Sequence, residues 1–169
     1  YVDSVASGLD VKDSVRCASV ANIAGTYNNG AGTITAGGNG AFSAVDGVTL
    51  TAGQRILLKN QTNEVQNGIY TLSTVGDAGN PYVLTRATDA DSNSEVTPGA
   101  FTFIEEGSTH ANKGFVLTTT GSITLGTTEL SFTQFTGAGQ LTGNNGVGIS
   151  GNTISMDVAG ISSELSSAG

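Results

Sequence analysis

Between Val45 and Gly137, short apolar stretches alternate with turn residues so closely that no long element fits between them. The stretches are Val48–Leu50, Arg55–Lys59, Gly68–Ser73, Tyr82–Arg86, Ala100–Glu105, Phe115–Thr119, Ser122–Leu125 and Leu130–Phe135. They are separated by "TAG", "NEVQNG", "VGDAGNP", "TPG", "EEGSTHANKG" and "TTGS". A globular helix needs roughly 10 or more residues of 3.6-residue periodicity, and nothing in this zone supplies them. Strands broken by turns at roughly 8–12-residue spacing predict an all-β domain, a compact sandwich or barrel.

Composition points the same way. Glycine makes up 25 of 169 residues, hydrophobic residues 37% and charged residues 12%. The chain is too apolar for simple disorder, and its Gly, Thr, Ser and Asn content suits strands joined by tight turns. The net charge is −8, and no basic residue follows Lys113. Without a basic stripe there is no means of releasing counterions from DNA or RNA, and an anionic membrane repels such a chain. No apolar run approaches the ~18 residues of a membrane span, and no secretory signal pattern is present. A start at Tyr1 rather than Met is expected of a segment of a longer chain.

Three zones follow one another. Residues 1–20 form a connector in which Leu9, Val11, Asp13, Val15 and Cys17 share one face of a first strand. Residues 21–137 form the main domain, with the Gly/Asn-rich residues 25–42 as a variable loop or loose hairpin. Residues 138–169 contain "VGISGNTISM", which reads as two strands joined by a Gly-first turn of type II′. A lone hairpin cannot bury its own apolar face, so this tail calls for a partner, most economically the same tail of sister chains.

The side chains that could carry chemistry are few. Cys17 is the only cysteine, which excludes an intrachain disulfide and a cysteine-based zinc cluster, and it reads as a small buried apolar residue. His110 is the only histidine and is expected on an exposed turn, without a nucleophile elbow to complete a Ser-His-Asp triad. Asp89, Asp91 and Asn93 match the first three alternating ligands of a calcium loop. The match then fails at Ser94 and Ala100, where the turn glycine and the bidentate glutamate belong. Glu105 and Glu106 point to opposite faces of a strand and cannot flank one glycosidic bond. For a glycan contact the candidates are Tyr27, Asn28 and Asn29, while Phe101, Phe103, Phe115, Phe132 and Phe135 are expected in the core. No cofactor is implied.

The ordered blocks "GLDVKDSVRCAS", "DGVTLTAGQRILLKNQTNEVQNGIYTLS", "YVLTRATDAD" and "PGAFTFIEEGSTHANKGFVLTTTGSITLGTTELSFTQF" resemble a module of tail-fibre and other virion structural proteins of tailed bacteriophages. Large contractile-tailed phages, including those of cyanobacteria, carry it. The pattern runs from Gly-Leu-Asp through DG-x-x-L-x-x-G-x-R-[IV]-L-[LV]-K-[ND]-Q-[TS], NG-[IV]-Y and TR-[AS]-x-D to G-x-x-x-[FV]-[IV]-E-E-G, and covers residues 6–137. It departs at Val11, near which the family ordinarily has a large aromatic, and in the length of residues 25–42.

The resemblance implies a non-enzymatic structural component of a phage tail fibre or virion appendage, located in the virion. Such a component would be a homotrimer that associates with other virion proteins and contributes to host attachment. Residues 138–169 then resemble a short β-structured fibre shaft. Two rival readings are a receptor-binding module for a bacterial surface glycan and a polysaccharide depolymerase. Within this frame Asp46-Gly47 suits a tight turn, Gly53 suits a positive φ before a buried strand, Ile56, Leu57 and Leu58 fill the core, and Asn67-Gly68 opens the next strand. Arg55 and Arg86 are candidates for ion pairs with Asp46, Asp89 or Glu105.

Overall fold

Successive side chains on a strand point to opposite sides, so a strand that is apolar at neighbouring positions must be covered on both faces. Ile56, Leu57 and Leu58 are such a run, and they place their strand at the centre of the fold. The computed structural model describes residues 10–135 and the strands 147–150 and 153–156.

Residues up to Phe135 form one unit. Its strands are β1 (Cys17–Ala18), β2 (Thr26–Asn28), β3 (Thr33–Thr35), β4 (Arg55–Leu58), β5 (Gly68–Thr74), β6 (Val83–Arg86), β7 (Phe101–Phe103), β8 (Gly114–Leu117) and β9 (Phe132–Gln134). A six-stranded sheet has the order β1-β4-β5-β6-β3-β2, and a three-stranded sheet the order β7-β8-β9. All pairs are antiparallel except β1 with β4. The expected all-β class is what the unit has, and among the described residues the one helical element is a 3₁₀ turn at Glu64–Gln66. No helix among them is long and apolar enough to cross a membrane.

Alternation sorts the side chains into two cores. Ile34, Ile56, Leu58, Tyr70, Leu72 and Leu84 pack with Phe42, Val45, Val48 and Leu50, which close one face of the large sheet. Leu57, Ile69 and Ala87 pack on the other side with Ile104, Phe115, Leu117 and Leu130 of the small-sheet region. The segment before β1 ties the two sheets together. Val15 runs parallel to Ile104, its N–H donating to the Phe103 carbonyl at 2.9 Å, and the next N–H, of Arg16, donates to the Arg55 carbonyl at 2.9 Å.

Several expectations are corrected. Of the two readings of residues 25–42 the hairpin holds, but it is not loose: β3 pairs with both β2 and β6, and Ile34 is wholly buried. Val48–Leu50 and Ser122–Leu125 are not strands. Their apolar residues plug the cores from turns, as when the Thr127 N–H closes on the Thr124 carbonyl. The one-sided strand expected over residues 9–17 is buried only at Val15 and Cys17, because Val11 has nothing packed over it and is 61% exposed. Leu9 lies outside the described residues. Of the five phenylalanines expected in the core, Phe115 is buried and Phe132 packs against that core, whereas Phe103 and Phe135 are exposed and Phe101 is half-buried.

A second unit, from Thr136 on, contains β10 (Val147–Ser150) and β11 (Thr153–Met156). They pair antiparallel with Ile149 opposite Ile154. The joining turn at 151–152 lies outside the described residues, as does the rest of 138–169.

Candidate functional site

Two of the sequence-derived candidate groups meet at one place. A cleft of about 570 Å³ opens between the β2–β3 turn, β6 and the loops that follow β6 and β8. Asn29 lines it from the turn, Arg86 from β6, Asp91 and Asn93 from the first loop, and Thr124 and Leu125 from the second. Its size is within the roughly 300–1,000 Å³ of small-ligand sites, though its lining is more polar than most.

The β2–β3 turn is built by its own side chains. Asn28 Oδ1 accepts from the Ala31 N–H at 3.2 Å, and Asn29 Oδ1 accepts from the Tyr27 hydroxyl at 2.9 Å. The Asn29 amide lies against Gly126, where a Cβ would collide with it. Tyr27 is scaffold rather than an exposed platform: its ring sits 5.6 Å from the Arg86 guanidinium and its hydroxyl accepts from Arg86 Nη2 at 3.2 Å.

The acidic loop does not gather its oxygens around one point. Asp89 is held by Arg55 Nη2 at 2.8 Å and by the Asp13 N–H at 3.2 Å, while Asn93 Oδ1 accepts from the Leu125 N–H at 2.8 Å. Asp91 faces Glu95. Desolvation first, then the hydrogen bond to Glu95 and the nearby negative charge, raise its pKa. Hydrogen bonds from Ser92, and then from Asp91, hold Glu95 down despite its desolvation. Among the described residues no group of three or more His, Cys, Asp or Glu is placed to hold a metal ion.

Arg86 is a finding that sequence reasoning missed. Expected in an ion pair, it has no carboxylate partner among the described residues, and only 3% of it is exposed. Its charge is met by the Asn67 carbonyl at 3.1 Å, the Val65 carbonyl at 3.2 Å and the Tyr27 hydroxyl. The Tyr70 and Tyr27 rings flank it, with centroids 5.0 and 5.6 Å away. Carbonyl dipoles and ring faces can hold a guanidinium without a counter-ion. Gly68 makes this possible: a Cβ there would run into Arg86 Nη1, and its φ is +142°. Asn67 joins the same post, its Oδ1 accepting from the Gln61 N–H at 3.0 Å and its Nδ2 donating to the Leu130 carbonyl at 2.9 Å. Gln61 in turn grips both the N–H and the carbonyl of Ile23, at 2.7 and 3.0 Å.

A second post stands at the Asp46-Gly47 turn, where φ is +51° and +81° and Val45 and Val48 exchange two 2.9 Å hydrogen bonds. The Asp46 carboxylate accepts from the N–H groups of Thr109 and His110, both at 2.9 Å. Burial pushes its pKa up, but the Thr109 hydroxyl and these N–H groups outweigh it and hold the carboxyl below its ordinary range. Gly107 admits the carboxylate, since a Cβ there would overlap Asp46 Oδ2. Gly53 stands at φ +85°.

Ser108, His110 and Asp46 are neighbours without being a triad, because Asp46 binds the His110 backbone and not its imidazole. His110 lies on a turn as expected but is half-buried rather than open, its ring packing edge-on to Phe115 at 5.3 Å. Burial and then Lys59 lower its pKa, so it is neutral at pH 7. Desolvation lifts the Cys17 thiol to about 12, which removes it as a nucleophile. What the cleft offers is amide, hydroxyl and carboxyl groups for reversible hydrogen bonding. Comparison with protein families, with curated proteins and with solved structures found no match to this chain.

Proposed function

We propose that the chain is a structural segment of a tail fibre or related virion appendage of a tailed bacteriophage, assembled as a homotrimer and contributing to host attachment. One observation carries this reading: the residues that make the motif blocks distinctive are the ones that hold distant backbone together. Asp46 of the DG block needs Gly107 of the EEG block, and Arg86 of the TR block needs Gly68 of the NG block. Motifs spent in this way serve a scaffold. The β10–β11 hairpin supplies a reason to assemble, since two strands alone are marginal in water.

Light scattering on the whole chain and on a chain ending at Gly137 tests the reading. The expected result is a trimer for the first and a monomer for the second. A monomeric whole chain would defeat the trimer, and a trimer unchanged without 138–169 would defeat the role given to that tail.

The cleft favours a second reading, recognition of a bacterial surface glycan. The Asn29 and Asn93 amides, the Asp91 carboxyl and the Thr124 hydroxyl are suited to sugar hydroxyls. Glycan-array binding by the whole chain that falls with Asn93→Ala and Asn29→Ala is the expected result, and absence of binding to any surface polysaccharide sinks it.

A further inference from the structure

The outer face of the β7-β8-β9 sheet carries aromatic rings where a sheet facing water ordinarily carries polar side chains. Phe101, Phe103 and Phe135 stand together there, with ring centroids 5.4–6.1 Å apart and interplanar angles of 70–84°. Phe103 is 45% exposed and Phe135 42%, and Phe135 lies over Gly114 so that its ring is seated on the backbone. Val11, 61% exposed, runs alongside at its bridge to Phe101. Single exposed apolar residues are ordinary, but a contiguous aromatic group marks an interaction surface. The rings are already packed edge to face, so a partner meets a rigid surface and orders little on binding.

We infer that this face is where copies of the chain meet one another. The inference rests on the homotrimer reading and names the surface that the globular unit contributes to it. The occupant follows from charge and chain path. At −8 overall, copies repel one another wherever acidic side chains meet, and Phe101, Phe103, Val116, Thr133 and Phe135, which share one side of this sheet, are themselves uncharged. The chain path adds that Phe135, one of the three rings, is the last residue before the second unit. Whatever joins the second units therefore tethers neighbouring Phe135 residues at high effective concentration, and a small aromatic surface then suffices. A trio of rings alone falls well short of the roughly 1,200 Å² of a stable free interface, so tethering is part of the design.

Phe103→Cys in the whole chain tests this. Cys17 is fully buried, so the thiol introduced at position 103 becomes the one reachable thiol among the described residues. Val20→Cys, at a position 50% exposed and outside this sheet, is the control. Oligomeric state, maleimide labelling rate and coupling by a short bis-maleimide are measured on both variants. The expected result is labelling at least about tenfold slower in Phe103→Cys than in Val20→Cys, with covalent coupling between copies in Phe103→Cys alone. Loss of the oligomer in Phe103→Cys, with Val20→Cys intact and both chains folded by circular dichroism, also supports the inference. An oligomer in which Phe103→Cys labels as fast as the control and does not couple overturns it and leaves the trimer reading standing. Equal protection of both thiols overturns it too. Slow labelling of Phe103→Cys without coupling, relieved on separation from another virion protein, overturns it by assigning the face to that protein. A monomeric wild-type chain removes both the inference and the reading beneath it.

Discussion

Around β5 and β6 the chain buries a guanidinium, two amides and their backbone partners, whereas the outer side of β7-β8-β9 leaves Phe103 and Phe135 exposed beside a half-buried Phe101. The ordinary distribution of polarity is inverted at both places, for different reasons. Buried polar groups are tolerated where every donor and acceptor has a partner, and Arg86, Asn67 and Gln61 find theirs in carbonyls and N–H groups of other segments. An exposed aromatic group has no such internal remedy, and its free energy is recovered only against another surface. The first inversion is completed within one chain; the second is the surface proposed above for a further chain.

The largest effect is expected at the buried post. Gly68→Ala puts a methyl group into Arg86 Nη1 and strains a φ of +142°, so it should lower unfolding free energy by about 3 kcal/mol or more, read as a fall in urea midpoint. Combining it with Arg86→Met should cost less than the sum of the two single changes, because the colliding atom is gone. Additive losses would show that Gly68 and Arg86 are independent.

Asp46→Ala should cost roughly 2 kcal/mol, since the N–H groups of Thr109 and His110 lose their acceptor. The folded carboxyl lies below its ordinary 3.8, so its contribution is present in full above that value and disappears as pH falls through the lowered one. Urea midpoints of wild type and Asp46→Ala should therefore differ at pH 6 and converge in acid. A gap that persists under acid conditions would mean that packing, not charge, holds the turn.

The smallest effect on the fold is expected at the aromatic face. Phe103→Cys should leave the unfolding free energy of the globular unit within about 1 kcal/mol of wild type. A large loss there would place Phe103 in the core and erase the contrast.

The strands β4 to β9 are legible in the sequence because their signals are local: apolar runs and turn residues act over a few positions. The candidate cleft is legible only in pieces. Asn29 stands out on its own, as does the pair Asp91 and Asn93, but they lie more than sixty residues apart, and no period links them. Tyr27 reads as exposed because its stretch is rich in Gly and Asn, while its partner Arg86 arrives through β3–β6 pairing. The same pairing makes the expected loop or hairpin an integral edge of the large sheet.

The order of residues was enough for the all-β class, the turn at Asp46-Gly47, the opening of a strand at Asn67-Gly68 and the net acidic charge. Only folding settled that Arg55 takes Asp89, that Arg86 takes no carboxylate among the described residues, and that Phe103 and Phe135 face outward. The physical reason is that alternation along a strand defines two faces without saying which is covered. Coverage depends on what other segments bring, and those contacts join residues that are neighbours only in space.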